Sequence, residues 1–283
     1  MRLLRLGAAG AERPAVEGDD GVVYDASGVA TDFDGDFFAS GGIARIRSAL
    51  DAGFLPSLAE TKDLRIGSPI SRPAAVICVG MNYAAHAAES GSAPPVSPVI
   101  FFKHPNTVVG PFDDVKIPPG ATKVDWEVEL AVVIGSRASY LPSPAAAREC
   151  IAGYAISNDV SERDYQLENG QWSKGKSCET FNPLGPYLVP REDIDSTTLR
   201  LRSSVNGALR QDSSTADMIT GVDELIWHIS QYLVLEPGDV VNTGTPEGVA
   251  LSGRYPYLQP GDEMSLSIEG LGEQRSILVD GRD

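Results

Sequence analysis

Only three histidines and three cysteines occur among the 283 residues, so chemistry built on clustered imidazoles or thiolates has little to draw on. Cys78, Cys150 and Cys178 are far apart, odd in number and without a CxxC pair. That excludes a disulfide framework and a zinc pattern, and it suits reduced thiols in a cytoplasmic protein. Basic residues are also scarce: 23 Lys and Arg stand against 39 Asp and Glu, a formal charge of −16. Nucleic acid and anionic membrane surfaces are held by clustered Lys and Arg, so neither is an expected partner. The chain has no apolar run of about 18 residues, so no spanning helix is expected. The opening Met1-Arg2-Leu3-Leu4-Arg5-Leu6-Gly7, interrupted by Arg5, does not read as a secretory signal. Neither GxGxxG nor GxxxxGK[ST] occurs, so nucleotide binding has no support. No internal repeat or low-complexity tract is visible.

What is present suits a globular chain with a real core: 42% hydrophobic and 22% charged residues. Residues 1–70 read as a small N-terminal domain, with short strands at Leu3-Leu4-Arg5-Leu6 and Val22-Val23-Tyr24 and helical spacing over 43–52. A Pro- and Ser-rich stretch around Gly67-Ser68-Pro69 marks the boundary to a larger domain, 71–283. There, short apolar runs alternate with turn residues, and strands are expected at 75–79, 99–102, 128–134, 154–156, 187–189, 199–201 and 240–241. Helices are expected over 84–88 and 218–235. With 20 Pro and 29 Gly favouring turns over long helices, the expected class is α+β and β-rich, with short peripheral helices.

The informative stretch is Val124-Asp125-Trp126-Glu127-Val128-Glu129-Leu130-Ala131-Val132-Val133. Side chains alternate along a strand, so Asp125, Glu127 and Glu129 project to one side. Three like charges at that spacing repel one another unless a cation neutralises them. A solvated strand face would carry the same alternation, but the continuously apolar 130–134 reads as a strand buried on both faces. Carboxylates leading into such a strand are better explained by a hard divalent ion, Mg²⁺, Mn²⁺ or Ca²⁺ rather than zinc. Asp159, where the apolar run Tyr154-Ala155-Ile156 gives out, is the natural further ligand; a helix cap or turn is its other reading. Periodicity leaves open which two of Asp125, Glu127 and Glu129 bind.

Other polar clusters flank this strand. In Gly80-Met81-Asn82-Tyr83-Ala84-Ala85-His86-Ala87-Ala88-Glu89, His86 and Glu89 share a helix face. A carboxylate beside an imidazole orients it as a general base requires, although the same spacing also describes a surface pair. His228 reads as packed and His104 as a loop residue. Trp172-Ser173-Lys174-Gly175-Lys176-Ser177 offers two Lys that could balance charge or stabilise an oxyanion. Asn242-Thr243-Gly244-Thr245-Pro246-Glu247-Gly248-Val249 is a Gly-rich turn whose amides and hydroxyls could hold a carboxylate.

Together these segments resemble the fumarylacetoacetate hydrolase family, from about Val76 to Asp262. Five motifs fall in family order: Gly80-Met81-Asn82-Tyr83 to Glu89, Asp125-Trp126-Glu127-Val128-Glu129-Leu130, Asn158-Asp159-Val160-Ser161-Glu162-Arg163, Lys174-Gly175-Lys176-Ser177 and Thr243-Gly244-Thr245-Pro246-Glu247-Gly248-Val249. The resemblance implies a mixed β-sandwich roll in a homodimer. It implies Glu127, Glu129 and Asp159 as ligands of Mg²⁺ or Mn²⁺, with Ca²⁺ an occupant in crystals, and leaves Asp125 off the metal. It makes His86 and Glu89 the water-activating dyad and Lys176 the active-site lysine. Arg163 and Gln166 match positions that contact substrate or the oxyanion, and Thr245 one that holds the substrate carboxylate. Ala85 replaces a frequent Asp of the family.

The implied activity is metal-dependent cleavage of the C3–C4 bond of a 2,4-dioxo acid, giving pyruvate and a carboxylic acid. Leu3-Leu4-Arg5-Leu6-Gly7 and residues 123–129 look closest to a subgroup acting on 2,4-diketo-3-deoxy sugar acids such as a fuconate or rhamnonate, relatives of which are often labelled ureidoglycolate lyases. The partner would be a small-molecule keto acid. Decarboxylation of oxaloacetate or isomerisation of a hydroxydienoate could use the same site. A non-catalytic metal-dependent keto-acid binding protein would need the carboxylates but not the His86–Glu89 dyad.

Overall fold

A computed structural model describes residues 1–282. Its centre is a six-stranded sheet in the order Val189–Pro190, Ile151–Asn158, Val128–Ile134, Val240–Asn242, Val76–Gly80, Val99–Lys103. All pairings are antiparallel except Val240–Asn242 beside Val76–Gly80. Val128–Ile134 is buried along its whole length, as its run of β-branched residues suggests. The reason is cover on both faces. Val128, Leu130, Val132 and Ile134 face a core shared with Leu201, Val205, Met264 and Leu266 of a five-stranded sheet and with Leu225, Ile226 and Ile229 of a helix. Ala131 and Val133 face a second core shared with Leu3, Val16, Phe33, Phe37 and Ile46 of the N-terminal unit.

The five-stranded sheet runs Ala208–Ser214, Arg200–Val205, Glu263–Ile268, Gly272–Asp280, Val115–Ile117. The N-terminal unit is a four-stranded antiparallel sheet, Val23–Asp25, Arg13–Glu17, Arg2–Leu6, Ile66–Gly67, with two helices, Gly35–Ala39 and Gly42–Asp51. It is stitched to the main body by a Leu3–Leu188 bridge, with both N–H···O distances 2.9 Å. The chain is therefore α+β and strand-rich, as expected. No described helix is long and apolar enough to cross a membrane.

Two elements differ from expectation. The helix expected over 218–235 forms only at Val222–Ser230. Asn82 draws Ile219 and Thr220 out of helical conformation by accepting from both N–H groups, at 2.7 and 2.9 Å, and Leu235 pairs with Ala138 beyond the other end. The expected strand over 124–133 is broken at Trp126 and Glu127. Val124–Asp125 pairs with Ser161–Glu162, whereas Val128–Ile134 pairs with Ile151–Asn158. At the break the Glu127 N–H donates to Asn158 Oδ1 at 3.1 Å, and the Asp159 N–H donates to Glu127 O at 3.0 Å. The strand carrying the glutamates is thus fastened side by side to the strand carrying Asp159.

Because Leu130 lies wholly inside the first core, Leu130→Ala should cost about 2–5 kcal/mol of unfolding free energy. Leu209→Ala, at a side chain 57% exposed, should stay within about 0.5 kcal/mol. Urea unfolding of both variants checks the contrast.

Candidate active site

Three carboxylates converge where the two fastened strands end. Oxygen atoms of Glu127, Glu129 and Asp159 all lie within 4.8 Å of one another, and all three residues are buried. Glu129 starts the face that continues with Ala131 and Val133, Glu127 sits in the strand break, and Asp159 follows Ile151–Asn158 directly. Asp125 is buried too, but it turns elsewhere. It accepts from the N–H groups of Ala250 and Leu251, at 2.8 and 2.9 Å, and from Arg163 Nε at 2.8 Å.

Three buried cations answer these charges. Lys176 Nζ lies 2.7 Å from both Glu127 and Asp159. Arg163 Nη2 lies 2.7 Å from both Asp125 and Glu127. Lys103 Nζ, 2.5 Å from Asp159 Oδ1, also donates to Val160 O at 3.0 Å. Burial alone would raise the Glu127 pKa, but Lys176 and Arg163 outweigh it and hold that carboxyl below the usual range. Glu129 has no ion pair among the described residues, and the more distant Lys176 lowers its pKa only in part. Burial, then the charges of Asp159 and Glu127, hold it well above the usual range despite a 2.7 Å hydrogen bond from the Gly244 N–H. Four carboxylates therefore face three cations, and the uncompensated charge falls on Glu129. An all-oxygen donor set short of one positive partner fits a hard divalent cation.

Across the same cavity stands the helix Ala84–Glu89. At six residues, Ala-rich but without a side-chain N-cap, it is too short to persist alone. Asn82 anchors it: its Nδ2 donates to Thr220 O and Thr243 O, at 3.0 and 2.9 Å, and its Oδ1 accepts from Thr220 N. His86 Nδ1 is 3.1 Å from Glu89 Oε1. Glu89 also accepts from the Gly248 N–H, at 3.0 and 3.1 Å, and from Arg254. Burial works against its charge, but His86, Arg254 and Gly248 together hold it below the usual range. An ionised carboxylate can only accept, so Nδ1 carries the imidazole hydrogen and Nε2 is left as the basic nitrogen.

The cavity encloses about 260 Å³, and His86, Glu127, Glu129, Arg163, Gln166, Lys176 and Thr245 all line it. Gln166 Oε1 accepts from Arg163 Nη1 at 2.8 Å, which leaves its amide hydrogens as its donors. The Thr245 hydroxyl donates to Val128 O at 2.9 Å and accepts from Gln211 Nε2 at 2.8 Å, so its proton is committed to the strand. Lys174 is exposed and paired with Glu168. His104 is exposed beside Asn106, and His228 is half-buried against Tyr232.

The Gly-rich turn does hold carboxylates, but they are the protein's own: Gly244 holds Glu129 and Gly248 holds Glu89. Gly244 has φ +96°, and a Cβ there would lie 2.8 Å from Asn82 Cβ, so a larger residue would push apart the segments that set the site. Lys103, Arg254 and Gln211 lie outside the sequence motifs, and Asn82 lies inside one without a signal of its anchoring role. Lys103 carried a usable signal, since it ends the apolar run Val99-Ile100-Phe101-Phe102 just as Asp159 follows its own.

Known proteins resemble this chain closely. The family model described as fumarylacetoacetate (FAA) hydrolase C-terminal matches residues 75–279. A Burkholderia multivorans protein named "Putative hydrolase" is 44% identical, covering 98% of each chain. The crystal structure of 5-carboxymethyl-2-hydroxymuconate delta-isomerase from Mycobacterium smegmatis is 36% identical with a TM-score of 0.77, covering 99% of each chain. That of maleylpyruvate hydrolase from Sphingobium sp. SYK-6, in complex with manganese(II) and pyruvate, is 26% identical with a TM-score of 0.80, covering 99% of this chain and 100% of that one.

Glu129→Gln removes a candidate ligand while relieving like-charge repulsion, so the fold should survive. Mn²⁺ affinity should fall more than about a hundredfold, since losing even an outer partner of a ligand costs about 10–100-fold. Asp125→Asn should do the reverse, costing about 3–5 kcal/mol of stability by breaking a buried ion pair with a smaller loss of Mn²⁺ affinity. Calorimetric titration and urea unfolding of both variants measure the two effects.

Proposed function

Since the chain belongs to the fumarylacetoacetate hydrolase family, we propose that it is a metal-dependent enzyme that hydrolyses the C3–C4 bond of a 2,4-dioxo acid, an acylpyruvate or 2,4-diketo-3-deoxy sugar acid, to pyruvate and a carboxylic acid. The observation that carries this reading is the pairing, across one cavity, of a three-carboxylate cluster with an imidazole whose far nitrogen is oriented by a carboxylate. The manganese and pyruvate of the Sphingobium hydrolase support it.

Glu127, Glu129 and Asp159 would hold Mg²⁺ or Mn²⁺, which when bound supplies Lewis-acid stabilisation of negative charge at the 2-oxo acid end of the substrate. His86 Nε2 takes a proton from water, with Glu89 fixing the ring and stabilising the imidazolium. The hydroxide adds to the C4 carbonyl. Lys176 keeps one N–H beyond the two directed at Glu127 and Asp159, and Gln166 keeps its amide hydrogens; these donors receive the C4 oxyanion. The C3–C4 bond breaks with its electron pair going to C3, and the proton held by His86 returns there. Arg163, committed to Asp125 and Glu127, acts by positioning. Thr245 likewise positions the strand through Val128 and Gln211. The isomerase neighbour supports a second reading, tautomerisation of a hydroxydienoate, in which His86 would move a proton between carbons without activating water.

His86→Ala should lower acylpyruvate hydrolysis by about 10²–10⁴-fold while keeping Mn²⁺ affinity. It should spare much of any oxaloacetate decarboxylation, which needs no activated water. Equal losses in both reactions would contradict the hydrolytic role of His86.

The two lysines separate in the same way. Lys176→Met should cost at least about 10² in kcat, with Mn²⁺ still bound because a competing cation has been removed. Lys174→Met, at an exposed pair, should stay within a few-fold. Steady-state kinetics on both variants decides, and equal rates would remove Lys176 from the mechanism.

A further inference from the structure

Away from the carboxylates the cavity is walled by the apolar Met81, Leu167, Trp172 and Leu251, with the hydroxyls of Ser90 and Ser92 as the uncharged polar groups beside them. Trp172 is fixed between two neighbours. Gly80 leaves the space its ring occupies, where any Cβ would collide with it, and Phe101 meets it edge to face with centroids 5.5 Å apart. The two Lys or Arg residues lining the cavity, among the described residues, are Lys176 and Arg163. Each already lies 2.7 Å from two carboxylates. Arg254, outside the lining, is held by Glu89. The remaining charged walls are Glu89, Glu127 and Glu129. A carboxylate at the far end of a bound substrate would lose water there without gaining a cation, which is strongly unfavourable. An apolar tail would gain by leaving water.

We infer that the group attached to C4 of the substrate is uncharged and lays apolar surface against Trp172 and Leu167, so that monocarboxylic acylpyruvates are the substrates and dicarboxylic ones are rejected. This rests on the 2,4-dioxo acid reading above. It separates the chain from an enzyme of maleylpyruvate, a compound with a second carboxylate at its far end.

The test compares two unreactive ligands of equal chain length, 2-oxopentanoate and 2-oxoglutarate, which end in a methyl group and a carboxylate respectively. Calorimetry on the Mn²⁺-loaded protein should show 2-oxopentanoate binding at least about tenfold more tightly, the scale of one unpaired buried charge discounted for partial solvation. Equal affinities, the reverse order, or no binding of either would overturn the inference. Leu167, 55% exposed at a helix end, tolerates replacement. Leu167→Arg supplies the missing cation and should bring the two affinities within about threefold; an unchanged ratio would overturn the role given to this wall. Neither ligand is cleaved, so the outcome is independent of turnover. Selective binding with no pyruvate released from any acylpyruvate would contradict the hydrolase reading and leave this one standing.

Discussion

Four carboxylates and three cationic side chains share a region that water barely reaches, and the cost of keeping charge there organises the structure around them. An ionised group taken from water into a protein interior is tolerated only when it is paired and hydrogen-bonded. Asp125 meets this condition with Arg163 and three backbone amides, Glu127 with Arg163 and Lys176, and Asp159 with Lys176 and Lys103. Glu129 meets it least, with one amide and two like charges nearby. That imbalance fits a divalent cation at this end of the sheet, which would leave the loaded site with a positive excess suited to an anionic keto acid despite a chain charge of −16.

The backbone around the cluster serves the same end. Covering the central sheet on both faces buries the glutamate-bearing strand completely, and breaking that strand after Asp125 lets neighbouring acidic residues point to different partners. One turn, 243–248, supplies two glycine amides to two carboxylates with different duties, Glu129 beside Asp159 and Glu89 beside His86. The two halves of the proposed chemistry are thus held in register by a single segment. Asn82 ties the His86 helix to that segment through Thr243 and to the 219–220 segment through Thr220.

Much of this was legible in the chain itself. Carboxylates alternating into a buried run point to the buried acidic cluster, His86 and Glu89 at helical spacing point to their side-chain contact, and the strands at 128–134 and 240–241 follow directly from their apolar, β-branched composition. Less legible were features set by partners distant in sequence. Nothing local to Val124–Val133 announces the break at Trp126, which depends on Asn158 and on the pairing of Ser161 with Asp125. The helix at 222–230 lost its expected ends to Asn82 and Ala138, more than 70 residues away in the chain. The hydrogen bonds that tie the Thr245 hydroxyl to Val128 and Gln211 join segments far apart in the chain and have no local signal. The pairing of Arg163 with Asp125 and Glu127 is likewise set by the fold and not by adjacent sequence.

In the proposed reaction, water adds to C4 of a 2,4-dioxo acid in this cavity. Turnover of acetylpyruvate by the Mn²⁺-loaded protein in ¹⁸O-labelled water, followed by mass spectrometry, tests it most directly. Acetate carrying one ¹⁸O is expected for every pyruvate formed, with no turnover after the metal is removed. Release of CO₂, or tautomerisation with no labelled acetate, would contradict it.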